Sequence, residues 1–139
     1  VEVQARGRPI ATVVCYCDDC QRAGHQIESR PGAPAVVDPD GGTGFVLYRK
    51  DRLDVVRGGE RLEPVKLDPR SPTSRYVASC CNSAVYLGFD DAKHWVDVFR
   101  SRIQGAPPPA KMSLPSIANS YRPIRPNMLC STAAWRVAC

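Results

Sequence analysis

ATVVCYCDDCQRAGHQIE, residues 11–28, sets a β-branched run directly against three cysteines and then a stretch suited to helix. Its first part, ATVVCYC (11–17), is β-branched and aromatic and reads as a strand. Its second part, DDCQRAGHQIE (18–28), suits a helical turn or a short helix, with Asp18 or Asp19 as the cap. On a strand, Cys15 and Cys17 point to one face, about 6.6 Å apart along the chain. The turn at Asp18 and Asp19 brings Cys20 back to the same point. A disulfide would use two of these thiols and strand the third, whereas a metal ion can use all three at about 2.3 Å.

The neighbouring charges favour the metal. Three thiolates beside Asp18 and Asp19 would repel one another, and nearby negative charge raises a thiol's pKa. A redox dithiol wants an electropositive setting instead. A dication removes the conflict, because its binding deprotonates the thiols outright. Three thiolates with no visible fourth cysteine favour zinc over iron.

Three protein ligands leave one tetrahedral position, which structural zinc sites close and catalytic sites keep open. Cys80, Cys81 and His25 are the candidates for closing it. His25 reads first as a solvated side chain after a helical turn. Cys80 and Cys81 are adjacent between two strands and face opposite sides, so only one of them can reach a given metal. Their plainer reading is as two small buried hydrophobes, and Cys130 and Cys139 read as packing residues.

Outward from the cluster the pattern is of short strands. RPGAPAVVDPDGGTG (30–44) is turn-rich, with one short apolar strand expected inside it. FVLYRK (45–50), LDVVRG (53–58) and LEPVKL (62–67) follow as strands separated by turns. SRYVAS (74–79) and NSAVYLGF (82–89) flank the cysteine pair, and WVDVFRSRI (95–103) alternates with period two. Six prolines between Pro107 and Pro126 rule out long helices and central strands there, so 106–126 is expected to wrap the surface in extended form. NMLCSTAAWRVAC (127–139) suits a short helix or a final strand. The expectation is a mainly β fold with a small helical element, built as a single domain over 1–139.

Composition narrows the function classes. No apolar run approaches the roughly 20 residues of a membrane span, and the polar, basic start VEVQARGRPI is no signal peptide. The first residue is Val, which leaves room for a preceding segment. Net charge is +5, but the basic residues are scattered and lack interleaved aromatics, so no nucleic-acid surface is expected. Scattered arginines suit small anionic ligands or simply solubility. Seven cysteines, an odd and clustered number, argue against a disulfide framework and for a reducing compartment, the cytoplasm.

CYCDDCQ (15–21) followed by RYVASCCNSAVY (75–86) resembles the glutathione-dependent formaldehyde-activating enzyme family, which includes centromere protein V. The resemblance runs from about Val13 to Ile103, and the CC doublet looks most like an uncharacterised branch of that family. It implies a β-tent fold of small antiparallel sheets near two zinc sites. It also implies that Cys15, Cys17 and Cys20 hold a catalytic zinc whose open position receives the sulfur of glutathione. The implied reaction is carbon–sulfur bond formation, adding glutathione to formaldehyde to give S-hydroxymethylglutathione. Glutathione carries two carboxylates, so a nearby arginine would be useful, and Arg22 is the candidate substrate contact.

The family's structural zinc uses an upstream Cys-x-Cys and a downstream Cys-x-x-Cys. Here no cysteine precedes Cys15, and the downstream pair is Cys80–Cys81. Either the upstream pair lies before Val1, or that second site is absent and Cys80 or Cys81 becomes the fourth ligand of the first metal. The alternatives are therefore an open-site lyase acting on a small thiol and a non-catalytic, zinc-stabilised binding module with a closed four-cysteine site. The general-base candidates are Asp18, Asp19 and His25, none of them placed by spacing alone.

Overall fold

The computed structural model describes residues 1–103 and 122–124. In chain order these form β1 (Glu2–Ala5), β2 (Ala11–Cys15), α1 (Asp18–Glu28), β3 (Thr43–Arg49), β4 (Leu53–Arg57), β5 (Leu62–Val65), β6 (Thr73–Ala78), β7 (Ser83–Phe89), β8 (Trp95–Phe99) and β9 (Arg122–Ile124). One-turn 3-10 segments follow β3, β4 and β8. The protein is mainly β, with two antiparallel sheets and one short helix, as the strand pattern implied.

The larger sheet has the order β5-β6-β7-β8-β3-β2-β9, and β1 pairs with β4 in a separate ribbon. Its central strands are apolar on both faces because both faces are covered. Phe45, on one face of β3, packs with Ile27 of α1, Val36, Val77, Leu87 and Phe99. Val46 and Tyr48, on the other face, pack with Val96, Val98 and Ala5 of the ribbon. Period-two alternation along β3 thus feeds two separate cores. At the β6–β7 pairing, one step from Tyr76 to Val77 spans two from Tyr86 to Ala84. This bulge turns Val85 into a third cluster with Val3 and Ala78.

Helix α1 buries Cys20, Ala23, Gly24 and Ile27 on one stripe, the i, i+3, i+4, i+7 set that a sheet-facing helix needs. Its cap is Cys17 rather than Asp18 or Asp19. The Cys17 carbonyl accepts from the N–H groups of Cys20 (3.1 Å) and Gln21 (3.2 Å), so the helix starts one residue earlier than the acidic pair suggested. Asp18 and Asp19 fall in the first turn, where they favour the positive end of the helix dipole.

Three further expectations are corrected. No separate strand forms within 30–44 ahead of β3, because the N–H groups of Val36 and Val37 donate to Glu28 Oε1, at 2.7 and 2.8 Å, instead of to a ladder. The 95–103 strand stops at Phe99, and Arg100–Arg102 is a 3-10 turn. β1 was not foreseen at all. Of the proline-rich stretch, Arg122–Ile124 is described and forms β9 beside β2, with Pro123 on an edge strand where no ladder donor is needed. The rest of 104–139, including the extended wrap, Cys130 and Cys139, lies outside the described residues. Among the described residues no helix is long and apolar enough to cross a membrane.

Candidate metal centre

Strand β2 delivers Cys15, the extended cap residue Cys17 continues its direction, and the first turn of α1 returns Cys20. The three sulfurs all lie within 4.8 Å of one another, and those of Cys15 and Cys17 are 3.3 Å apart. Ligands about 2.3 Å from a tetrahedral ion stand about 3.8 Å apart, so sulfurs gathered this closely are compatible with one shared zinc. Cys15 and Cys20 are buried and Cys17 is half-buried. No disulfide joins any of the five described cysteines.

The electrostatics of the cluster are those of one thiolate held by two thiols. Cys15 is held down to about 6, first by the hydrogen bond from the Cys20 thiol. Burial opposes this, while the Cys17 backbone N–H, the Cys17 thiol and the charge of Arg75 add to it. Cys20 is pushed up, first by its hydrogen bond to Cys15 and then by burial. Burial is also the first cause that raises Cys17. A dication held here would take the place of the two remaining protons, as the donor chemistry demands. Thr43, directly across the ladder from Cys15, adds a buried hydroxyl with no hydrogen-bond partner among the described residues. Cross-strand partners share a face, so this donor stands on the face of the Cys15 thiolate.

Arg75, on β6, is 5% exposed, and its Nη2 donates to the Asp19 carbonyl at 3.3 Å. A guanidinium so placed offsets the excess negative charge of three thiolates around a dication. Sequence reasoning missed this role. Arg75 stands 56 positions from Asp19, and only the strand order brings them together.

The other predicted residues are placed as follows. Cys80 and Cys81 lie in the turn between β6 and β7, the first exposed and the second half-buried, rather than as two buried hydrophobes. Their sulfurs are 4.0 Å apart, and Cys81 donates to Ser83 Oγ at 3.1 Å. Asn82, in the same turn at φ 52, donates to the Pro31 carbonyl at 3.0 Å. That contact puts the turn past the far end of α1, a helix about 16 Å long, from the three-thiol group at its start. His25 is exposed and pairs with Glu28 Oε2 through Nδ1 at 3.1 Å. Among the described residues, the ligand group holds neither His25 nor a fourth cysteine.

Arg22 is exposed one turn along α1 from Asp19 and helps line a cleft of about 270 Å³. Asp19, Asp68, Ser71, Thr73 and the buried Arg75 line it too. Arg75 is therefore common to both places, lowering Cys15 on one side and reaching the cleft on the other.

In chemical terms the chain presents three cysteine sulfurs close enough to hold a metal ion, beside a small polar cleft. No family model, no curated protein and no solved structure matches the chain.

Proposed function

We propose that the chain is a zinc-dependent enzyme of the carbon–sulfur lyase type, adding a thiol such as glutathione to formaldehyde or a similarly small electrophile. The observation that carries this reading is the ligand count, three sulfurs within bonding reach of one ion and, among the described residues, no fourth ligand in the group. Structural zinc sites are closed by four protein ligands, whereas catalytic ones reserve a position. The resemblance of CYCDDCQ and RYVASCCNSAVY to the formaldehyde-activating family supports the same choice.

Zinc held by Cys15, Cys17 and Cys20 would lower the pKa of a thiol at the fourth position, supplying a thiolate nucleophile at neutral pH. In the addition the sulfur forms a bond to the carbonyl carbon, the carbonyl π pair moves to oxygen, and the thiol's proton ends on that oxygen. The chain's part is to gather three sulfurs at one end of β2 and to balance their charge with Arg75. His25, engaged with Glu28 on the solvent side of α1, is not required by this scheme.

X-ray absorption of the zinc-loaded protein, before and after glutathione, tests the reading. One zinc with three sulfurs and a light atom, gaining a fourth sulfur on addition, is expected. A faster exchange between formaldehyde and its glutathione adduct, followed by NMR with labelled formaldehyde, is expected alongside it. Four sulfurs from the outset, unmoved by glutathione, would mean a closed structural site and a non-catalytic binding module.

A further inference from the structure

Thr43 opens β3 and stands directly across the ladder from Cys15, at the end of β2. A β-branched residue suits the place, since threonine packs on a pleated surface much as valine does. The next pair on the same face, Val13 and Phe45, is wholly apolar and lies in the core. Thr43 therefore puts a hydroxyl where its neighbours put carbon, at 1% exposure. Its Oγ1 has no hydrogen-bond partner among the described residues. A buried hydroxyl left in this state costs free energy that a methyl group in the same place would not. The chain carries that cost beside the three sulfurs that, among the described residues, are grouped closely enough to hold a metal ion.

The cysteines explain what the hydroxyl is for. Opposed strand residues have Cβ atoms about 4.5–5.5 Å apart, so a turn about χ1 aims the Thr43 hydroxyl toward the Cys15 sulfur or away from it. Without an ion, the sulfurs share their own protons, as the 3.3 Å hydrogen bond between Cys15 and Cys17 shows. A metal takes all three as thiolates, and those S–H donors disappear. Cys15 is 2% exposed, so water does not replace them. We infer that Thr43 is a positioning residue for the metal, donating its hydroxyl proton to the Cys15 sulfur when an ion is bound. The hydroxyl is the partner held in reserve for the loaded state. Its hydrogen bond fixes the direction of the Cys15 sulfur from the opposite strand. A thiolate that accepts a hydrogen bond also donates less charge to its metal, which keeps the ion more electrophilic than three bare thiolates would. The inference rests on the three-sulfur metal reading above and not on the identity of the reaction.

Thr43→Val keeps the shape and removes the hydroxyl, whereas Thr43→Ser keeps the hydroxyl. The valine relieves the metal-free protein of an unpaired hydroxyl and deprives the loaded one of a hydrogen bond, so both effects weaken metal binding. Competition with a chromogenic chelator is expected to show zinc bound about tenfold more weakly by Thr43→Val, and within about twofold of the parent by Thr43→Ser. In cobalt-loaded protein the sulfur-to-cobalt charge-transfer band should move to lower energy in Thr43→Val and stay in place in Thr43→Ser. A residue that merely packs would change the melting temperature without moving that band. An unmoved band with unchanged zinc affinity in Thr43→Val overturns the inference and leaves the three-sulfur site standing. A valine protein that no longer folds would show that the fold itself needs the hydroxyl, and overturns it too. No cobalt band in the parent protein would reject the metal reading, and Thr43's role with it.

Discussion

Arg75 Nη2 donates a hydrogen bond to the carbonyl oxygen of Asp19 across 3.3 Å, tying the middle of β6 to the first turn of α1. The contact does two things at once. It anchors the segment that carries Cys20, and it holds a buried positive charge close enough to Cys15 to lower that thiol. Groups that orient and neutralise ligands from just behind a metal matter nearly as much as the ligands. Arg75→Gln, which can keep a hydrogen bond but not the charge, is expected to weaken zinc binding by about 10- to 100-fold. Competition with a chromogenic chelator reads this directly, and an unchanged zinc affinity would remove Arg75 from the centre.

Cys17→Ser should abolish stoichiometric zinc binding and lower the melting temperature of the zinc-loaded protein, since one of three sulfurs is lost. Cys80→Ser and Cys81→Ser should each leave the zinc at the three-thiol group in place, because their turn sits beside Pro31 beyond the far end of α1. Elemental analysis after gel filtration distinguishes these outcomes. Zinc lost from the Cys80→Ser or Cys81→Ser protein would revive the closed four-cysteine site.

Glu28 stitches α1 to the segment after it, accepting from Val36 and Val37 at Oε1 and meeting His25 at Oε2. Burial pushes its pKa up, but the Val37 and Val36 N–H groups and then His25 outweigh burial and hold it below its usual 4.5. A depressed carboxylate contributes stability that is present above the unfolded-state value and is lost as pH falls through the folded one. Glu28→Gln, which keeps the acceptor oxygen but loses the charge, should therefore cost about 1 kcal/mol at pH 7. That gap should narrow as pH drops below 4.5. Urea unfolding of both proteins at pH 7 and at a mildly acidic pH measures it; a gap that stays constant would mean that the carboxylate's charge is immaterial.

Gly24 poses a contest of two effects. Alanine is preferred over glycine inside a helix by roughly 0.5–1 kcal/mol. A Cβ built at Gly24, however, would stand 2.3 Å from Val37 Cγ2. Valine is stiff at χ1 and cannot swing aside, and overpacking costs typically about 1–3 kcal/mol. Gly24→Ala should therefore destabilise the protein. Gly24→Ala combined with Val37→Ala should recover part of the loss, and a more stable single variant would show that the Val36–Val37 segment yields easily.

What was legible beforehand follows from range. The strand-to-helix passage around Cys15, Cys17 and Cys20 is local, so β-branching and spacing revealed both the elements and the convergence of the three sulfurs. β4 to β8 were legible for the same reason, each a short apolar run between turn residues. β1 escaped because VEVQA is brief and mixed in polarity, and its pairing runs to Leu53–Arg57 some fifty residues on. The opposite error arose at Ala35–Val37, where an apolar run looked like a strand but found Glu28 in place of a ladder. The cleft was invisible for a third reason. Arg22 could be suspected from its place after the cysteines, but Asp68, Ser71 and Arg75 reach it only through the order of the sheet.

The balance of two cations against two anions around the cleft has a kinetic consequence. Balanced charges cancel at a distance, so these four side chains themselves exert little long-range pull, and what pull there is comes from the chain's net charge of +5. An association rate for an anion that falls as salt shortens the Debye length from about 10 Å at 0.1 M to about 3 Å at 1 M would therefore report that net charge rather than the cleft. Discrimination then resides in how long a ligand stays rather than in how fast it arrives.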